Sequence, residues 1–303
     1  MKLIIQSDSI IFMIKNRYAA LAVIILIYVL AVFGGIFTYD FFDGKYSFGN
    51  EEALPFWLSL LLADVAATIL VFIFSLIFRN ASVYDPYWSV QPPVILAVAI
   101  SKMRESEVSI DLLGWLLFAA VLFWALRLTS NWAYNFKSFE YQDWRYLMLK
   151  EKTGRAYPLI NFLGIHMFPT FVVYLCILPA ITAVVKSAAF KPVCAVFIAL
   201  SFTATIFQGI ADIQMHRFRN SGSDGFIQTG LWKKSRHPNY TCEILMWWGI
   251  GLASVIATGG PCWLLAGAVV NTLMFLFVSI PMADKHQARK PGFEEYKKNT
   301  RML

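Results

Sequence analysis

The stretch from Asp212 to Glu243 holds the densest set of side chains able to do chemistry. It opens Asp212-Ile213-Gln214-Met215-His216-Arg217-Phe218-Arg219. Asp212 and Arg219 stand seven apart, so a continuing helix puts them on one face, two turns apart. The carboxylate can accept from an amide or a ribose hydroxyl. The guanidinium can clamp a phosphate through two parallel hydrogen bonds. The plain alternative is a helix end whose cations anchor at lipid headgroups, and spacing alone favours it.

A loop rich in Gly, Ser and Asp follows, from Asn220 to Thr229. Then comes Gly230-Leu231-Trp232-Lys233-Lys234-Ser235-Arg236-His237-Pro238-Asn239-Tyr240, with Glu243 at the edge of an apolar run. Anchoring at headgroups needs Trp and Lys; it does not need this ordered run leading to an acid. Pro238 suits the first turn of a helix, where its missing N–H costs nothing, and the amides behind it can face an anion. An unpaired acid in lipid is costly, so Glu243 should have a partner, with Arg236 and Asn239 near enough in sequence. The tail from Asp284 to Tyr296 adds Lys285, His286, Arg289, Lys290 and Phe293-Glu294-Glu295-Tyr296. By spacing alone it is an ordinary solvated basic tail.

Several chemistries lack their residues. No G-x-x-x-x-G-K-[S/T] run cradles a phosphate, and no G-x-S-x-G elbow presents a nucleophile. Gly249-Ile250-Gly251 lies in an apolar helix without the strand and third glycine of a dinucleotide fingerprint. His166, His216, His237 and His286 share no metal-ligand spacing, nor do Cys176, Cys194, Cys242 and Cys262, so no metal site and no disulfide frame are expected.

The elements that must position these residues are membrane helices. Of 303 residues 58% are hydrophobic and 15% charged, where soluble domains run nearer a quarter charged. The apolar residues come in blocks long enough to cross a bilayer, which takes about 20 residues. The blocks are Tyr18–Phe37, Pro55–Phe78 with Asp64 inside, a short Pro92–Ile100, Leu112–Leu126, about Leu159–Val185, about Pro192–Ala211, and Ile244–Met282. The last is long enough for two spans, with Gly259-Gly260-Pro261 as the turn. The expectation is an all-α polytopic membrane bundle of seven or eight spans, one integral domain over residues 1–303, with Pro92–Ile100 as the doubtful crossing. The run after Arg17 is too long for a typical signal peptide.

Charge sets the orientation. Most of the 26 Lys and Arg residues fall in the N-terminal tail, Arg79–Gln91, Leu128–Pro158, Asp212–Tyr240 and the C-terminal tail. The positive-inside rule makes that side cytoplasmic. Thr38–Leu54 is acidic, with Asp40, Asp43, Glu51 and Glu52, and falls outside. Topology thus accounts for the net charge of +7 without nucleic acid, and nothing calls for an obligate protein partner.

The ordered set Gly230-Leu231-Trp232, Ser235-Arg236-His237-Pro238-Asn239-Tyr240, Glu243 and Trp247-Trp248-Gly249 resembles the C-terminal domain of the steroid 5-alpha-reductase family, closest to its microbial branch. Asp85-Pro86-Tyr87-Trp88-Ser89, and Arg127 followed by Gln142-Asp143-Trp144-Arg145-Tyr146, fit that branch too. The resemblance spans about Asp64 to Tyr296. It implies an NADPH-dependent reductase of a carbon–carbon double bond conjugated to a carbonyl. Asp212, Arg219, Asn239 and Tyr296 match the family's cofactor contacts, and Glu243 matches a family acid beside the asparagine. Arg127, Arg145, Arg236, His237 and Tyr240 are further cofactor candidates on the matching blocks. The tail basic residue has Lys285, His286 and Arg289 as candidates, with Arg289 carried forward. The family's catalytic Glu and Tyr lie on earlier helices, where Asp64, Asp85 and Tyr87 are the local polar groups.

On that reading an apolar, steroid- or lipid-like enone enters from the bilayer, among membrane lipids. Hydride reaches its β-carbon and charge gathers on the carbonyl oxygen, where a donor must sit. Tyr87 is the first choice, oriented by Asp85 or Asp64. Asp64 could equally pair with Arg79 or Arg127, and Asp85 before Pro86 could cap a turn. The enzyme rival is an S-adenosylmethionine-dependent membrane methyltransferase of the isoprenylcysteine or phospholipid type, which resembles this chain in its Arg-His-Pro block, Tyr and membrane-edge acid. The Asp212/Arg219 pair and Asn239 count against it. A lipid-binding or transport protein would instead spread polar residues through the bilayer midplane.

Overall fold

The computed structural model describes residues 15–42, 54–223 and 225–303. The N-terminal tail before Lys15 and most of the acidic Thr38–Leu54 loop, with Asp43, Glu51 and Glu52, lie outside the described residues. The described residues are all-α, and their one β feature is an isolated bridge between Ser235 and Arg301.

Seven helices are long and apolar enough to cross a membrane: α1 (Arg17–Phe42), α2 (Phe56–Ile77), α4 (Leu112–Asn135), α5 (Trp144–Val185), α6 (Pro192–Asn220), α7 (Pro238–Thr258) and α8 (Cys262–Gln287). Between α2 and α4 lies α3 (Tyr87–Glu105), which holds Pro92 and Pro93 and is too polar to count as a span. This is the doubtful third segment. A short helix, α9 (Phe293–Asn299), follows α8. Several boundaries lie beyond the apolar blocks: α1 runs on to Phe42 and α6 to Asn220. Helix α4 runs on to Asn135, so Arg127 lies within it rather than at its end. Helix α5 begins at Trp144, passing through a tight turn at Gly154–Ala156 and a π-helical stretch at Asn161–Met167.

The helix ends follow local chemistry. Asn16 accepts from the Tyr18 and Ala19 amides at 2.8 and 3.3 Å and starts α1, satisfying donors a helix cannot satisfy itself. Asp143 does the same for α5 through the Arg145 amide, 2.9 Å. Pro192 and Pro238 open α6 and α7 in the first turn. Gly259, at φ +61°, closes α7 in the left-handed conformation that glycine adopts without strain.

The chain divides into two compact units, formed by the described residues of Met1–Ile95 with Leu128–Tyr174, and of Leu96–Arg127 with Leu175–Leu303. In the first, α1 and α2 pair through small residues: a Cβ on Gly35 would stand 3.2 Å from the Ala63 carbonyl oxygen. In the second, α6 and α7 approach more closely. A Cβ on Gly249 would meet the Phe197 carbonyl oxygen at 2.6 Å, and Ser201 bonds the Met246 carbonyl across the same seam at 3.0 Å. Lipid offers no hydrophobic drive between helices, so close backbone approach and such bonds hold them together. Gly249 is therefore a packing glycine. The outward side chains of α1, among them Ile25, Phe33 and Phe37, stay exposed, as lipid-facing positions should.

Candidate functional site

Each unit carries a buried polar cluster. In the first unit Asp64, on α2, is 4% exposed. Its Oδ1 accepts from the Tyr87 hydroxyl at 3.2 Å and its Oδ2 from Gln91 Nε2 at 3.0 Å. Tyr87 and Gln91 stand four apart on α3, so one helix face delivers both donors. The Gln91 amide also reaches the Thr170 carbonyl at 3.4 Å. The Thr170 hydroxyl joins Thr68 at 3.0 Å and Tyr84 at 2.7 Å. The Tyr84 ring lies beside both the Tyr87 ring, 5.6 Å, and the His166 ring, 4.7 Å. Burial first, and the Asp64 carboxyl second, push the Tyr87 phenol well above its ordinary pKa, so it keeps its proton as a donor.

Asp85 makes a second contact in this unit. Its Oδ1 accepts from the Tyr146 hydroxyl at 2.5 Å. Burial pushes its carboxyl up to about 6, against the opposing Arg145 charge. Arg145 itself forms a bidentate pair with Asp143 at 2.8 and 3.0 Å. Neither acid takes its plain alternative alone. The partners of Asp64 are Tyr87 and Gln91, not Arg79 or Arg127. Asp85 bonds a tyrosine and does not merely cap a turn.

In the second unit Glu243, on α7, is 3% exposed, and protein donors fill both its oxygens. Oε2 accepts from Trp124 Nε1 at 2.8 Å and Gln208 Nε2 at 2.6 Å; Oε1 accepts from Trp247 Nε1 at 3.0 Å. Arg127 Nη2 lies 3.7 Å from Oε2, and Arg127 Nη1 pairs with Asp212 at 2.8 Å. One arginine thus lies between two acids, and α4, α6 and α7 each supply part of the network. Arg127 Nε and Nη2 are buried without a hydrogen-bond partner. The partners expected for Glu243, Arg236 and Asn239, do not serve it. Asn239 contributes its backbone carbonyl to Gln208, 3.1 Å.

Arg236 and His237 turn instead to Asp284 on α8. Arg236 Nη2 reaches Oδ2 at 3.2 Å and His237 Nε2 reaches Oδ1 at 2.9 Å. A carboxylate only accepts, so Nε2 carries the hydrogen. Burial lowers the His237 pKa and the Asp284 carboxylate opposes that shift. Arg236 also donates to the Lys297 and Thr300 carbonyls at 3.0 and 2.6 Å, and its amide bonds the Arg301 carbonyl at 2.9 Å. The Tyr296 hydroxyl donates to the Trp232 carbonyl, and burial pushes its pKa up to about 12. The His237 and Tyr240 rings stack, 5.3 Å apart and 4° from parallel. Arg236 and His237 are thereby committed to Asp284 and the tail, while Lys233 and Lys234 stay exposed.

The structure therefore brings Asp64 and Tyr87 together, and Arg127, Asp212 and Glu243 together, and joins Arg236, His237 and Tyr296 to the loop and tail. Arg145 sits with Asp143 and Tyr146 in the first unit. Arg219 and Arg289 are exposed, Arg219 two turns beyond Asp212 on the same helix. Residues that sequence reasoning passed over are Gln91, Thr170 and His166 in the first unit, and Trp124, Gln208 and Asp284 in the second. The one available signal was the cost of polar side chains in apolar blocks, which marks Gln208 and His166 as it marked Asp64. Among the described residues, no cluster of His, Cys, Asp and Glu could hold a metal ion.

Comparison with known proteins gives a family and a relative. The family model described as a protein of unknown function, DUF1295, matches residues 71–300. An uncharacterized protein of Schizosaccharomyces pombe, C594.04c, is 26% identical over 246 residues, covering 72% of this chain and 70% of the relative. No solved structure matches.

Proposed function

The chain belongs to the DUF1295 family of membrane proteins, and from that premise we propose that it is an NADPH-dependent reductase of a carbon–carbon double bond conjugated to a carbonyl, acting on an apolar substrate drawn from the bilayer. The observation that carries this reading is the buried Tyr87–Asp64 hydrogen bond, 3.2 Å, made by an acid inside the apolar span α2. Methyl transfer to a nucleophile needs no group to stabilise an oxyanion. Enone reduction does.

The second unit's donors suit a polyanionic cofactor. Arg127 keeps two buried nitrogens, Nε and Nη2, without a hydrogen-bond acceptor, and Arg217, Arg219, Lys233, Lys234 and Arg289 are exposed cations. Arg219 and Arg289 would hold phosphates, and Asp212 and the Asn239 side chain would meet sugar or amide groups. Arg236, His237 and Tyr296, already committed to Asp284, the tail and Trp232, would position the loop rather than touch the cofactor. The chemistry such a cofactor supplies when bound is a hydride for the β-carbon of the substrate.

The chain's own residues do the rest. Tyr87 would turn its one hydroxyl hydrogen from Asp64 to the substrate's carbonyl oxygen, where negative charge gathers. Asp64, held by Gln91 on its other oxygen, accepts that hydrogen until the substrate arrives. Glu243 acts through Arg127, balancing its charge beside Asp212, because its own oxygens are filled. By the positive-inside rule the basic segments of the second unit would face the cytoplasm.

The test is a thermal-shift titration of the detergent-purified protein with NADPH, NADH and S-adenosylmethionine, since a ligand of the native state raises Tm by mass action. The expected result is stabilisation by NADPH, with Arg219→Ala weakening NADPH binding tenfold or more and NADH binding little. A phosphate contact to arginine has about that worth. Stabilisation by S-adenosylmethionine alone would overturn the reading.

A further inference from the structure

The first unit's cluster contains an asymmetry in its unmet hydrogen bonds. Gln91 is 3% exposed and His166 is fully buried, yet Gln91 Oε1 and His166 Nε2 have no hydrogen-bond partner. Asn161 Oδ1, on the same π-helical stretch as His166, is likewise unpaired. These atoms share a chemical character. Gln91 Nε2 donates to a carboxylate and a carbonyl, neither of which can donate from a flipped position, so the amide oxygen is fixed as the outward atom. His166 Nδ1 lies 2.9 Å from the Asn161 carbonyl. A carbonyl only accepts, so Nδ1 holds the hydrogen and Nε2 of the neutral ring is a bare acceptor. Three buried acceptors of this cluster are thus left over; the Ser59 hydroxyl, elsewhere on α2, is also unpaired.

Buried acceptors without donors are costly, and each such group calls for an explanation. Two further features place these atoms at a working site. A π-helical turn widens α5 where His166 and Asn161 sit, and such turns gather at functional positions. The Tyr84 ring neighbours both His166 and Tyr87, with centroids 4.7 and 5.6 Å away, and Gln91 stands one turn beyond Tyr87 on α3, so the leftover acceptors belong to the same cluster as the proposed carbonyl donor.

We propose that Gln91 Oε1 and His166 Nε2 offer a subsite for a hydrogen-bond donor on the ligand, so that the apolar molecule taken by the first unit carries a hydroxyl group in addition to its carbonyl. The carbonyl end rests on the reductase reading, with Tyr87 as its donor. The hydroxyl subsite stands on the acceptors alone. A hydroxyl donates its one hydrogen to one of them; a second carbonyl, which brings only another acceptor, satisfies neither. Specificity of this kind is strong because the wrong ligand leaves the site's own polar atoms unpaired.

The probes are β-ionone, 3-hydroxy-β-ionone and 4-oxo-β-ionone, a conjugated enone skeleton bearing no ring oxygen, a donor, or an acceptor. Binding to the full chain in detergent is read by quenching of tryptophan fluorescence. The expected result is that the hydroxy compound binds about tenfold more tightly than either of the others. His166→Phe should erase the preference and His166→Gln, which keeps an acceptor, should retain part of it. If His166→Phe fails to fold, Gln91→Met reads the same preference from the other acceptor. Equal binding of the three probes would mean that resident water satisfies the acceptors and would overturn the proposal, as would no binding of any probe by the wild-type protein. The NADPH titration separates the two ideas. A hydroxyl preference without NADPH stabilisation keeps the subsite and removes the reductase; NADPH stabilisation without a preference does the reverse.

Discussion

Replacing Glu243 with Gln changes one atom and should destabilise the protein far more than an exposed Glu→Gln. The carboxylate takes three side-chain N–H donors at 2.6 to 3.0 Å and faces a guanidinium at 3.7 Å. An amide has one accepting oxygen and one NH2, so whichever way it turns, an indole or the Gln208 amide meets a donor. If the amide oxygen faces Trp124 and Gln208, the Trp247 N–H loses its acceptor. If it faces Trp247, two donors lose theirs. Leaving a buried donor unsatisfied costs about 1–3 kcal/mol, and the surviving bonds fall from charge-assisted to neutral strength. Arg127 keeps Asp212 but loses its second counter-charge. The total is about 2–4 kcal/mol. Unfolding followed by tryptophan fluorescence, with Trp124 and Trp247 as reporters, measures it. At roughly 2–4 °C per kcal/mol for a chain of this order of size, Tm should fall by about 4–16 °C. A Tm within 1 °C of wild type would refute the assignment of Glu243 as the acceptor that ties α4, α6 and α7. Full turnover by a folded variant would separately refute its role in positioning Arg127.

Other outcomes follow from the same geometry. Asp284→Ala removes the shared partner of Arg236 and His237 and should cost about 3–5 kcal/mol, with the segment after Tyr296 becoming a site of early proteolytic cleavage; an intact tail under trypsin would contradict this. Asp85, whose carboxyl is pushed up to about 6 by burial, binds its proton more tightly folded than unfolded. Its contribution is full below the unfolded value near 4 and is lost as pH rises to about 6. Tm should therefore fall across pH 4–6 and then level, and Asp85→Asn should flatten that slope; an unchanged slope would assign it to another group. Tyr87→Phe should lower turnover about 100-fold or more while leaving NADPH affinity within twofold; an unchanged rate would move the oxyanion donor elsewhere.

Much of the architecture is written in the chain's hydropathy. Six long apolar blocks become seven candidate spans, the last block dividing in two, because a bilayer leaves a backbone little choice but helix. Pro92 and Pro93, in a polar segment, set α3 apart from them. The Gly259-Gly260-Pro261 turn and the proline starts of α6 and α7 are local and were readable locally. Arg127 was misplaced to a helix end because its charge stops the apolar block, while the hydrogen-bonded helix continues to Asn135 under the protection of Asp212 and Glu243.

The partner of each polar residue was not local. Sequence distance points Glu243 to Arg236 and Asn239, a turn or two away, but helix packing gives it Trp124 and Arg127 from α4 and Gln208 from α6, more than thirty residues away or further. The same holds for Arg236 and His237, whose anion is Asp284, and for Asp64, whose donors come from one face of α3. Composition and spacing determine which side chains must find partners, because each is expensive to bury alone. Only the packing of the helices decides which partner each one finds, because that depends on distances across the fold that a one-dimensional pattern does not contain. It also decides which buried atoms, Gln91 Oε1 and His166 Nε2 among them, are left for a ligand to satisfy.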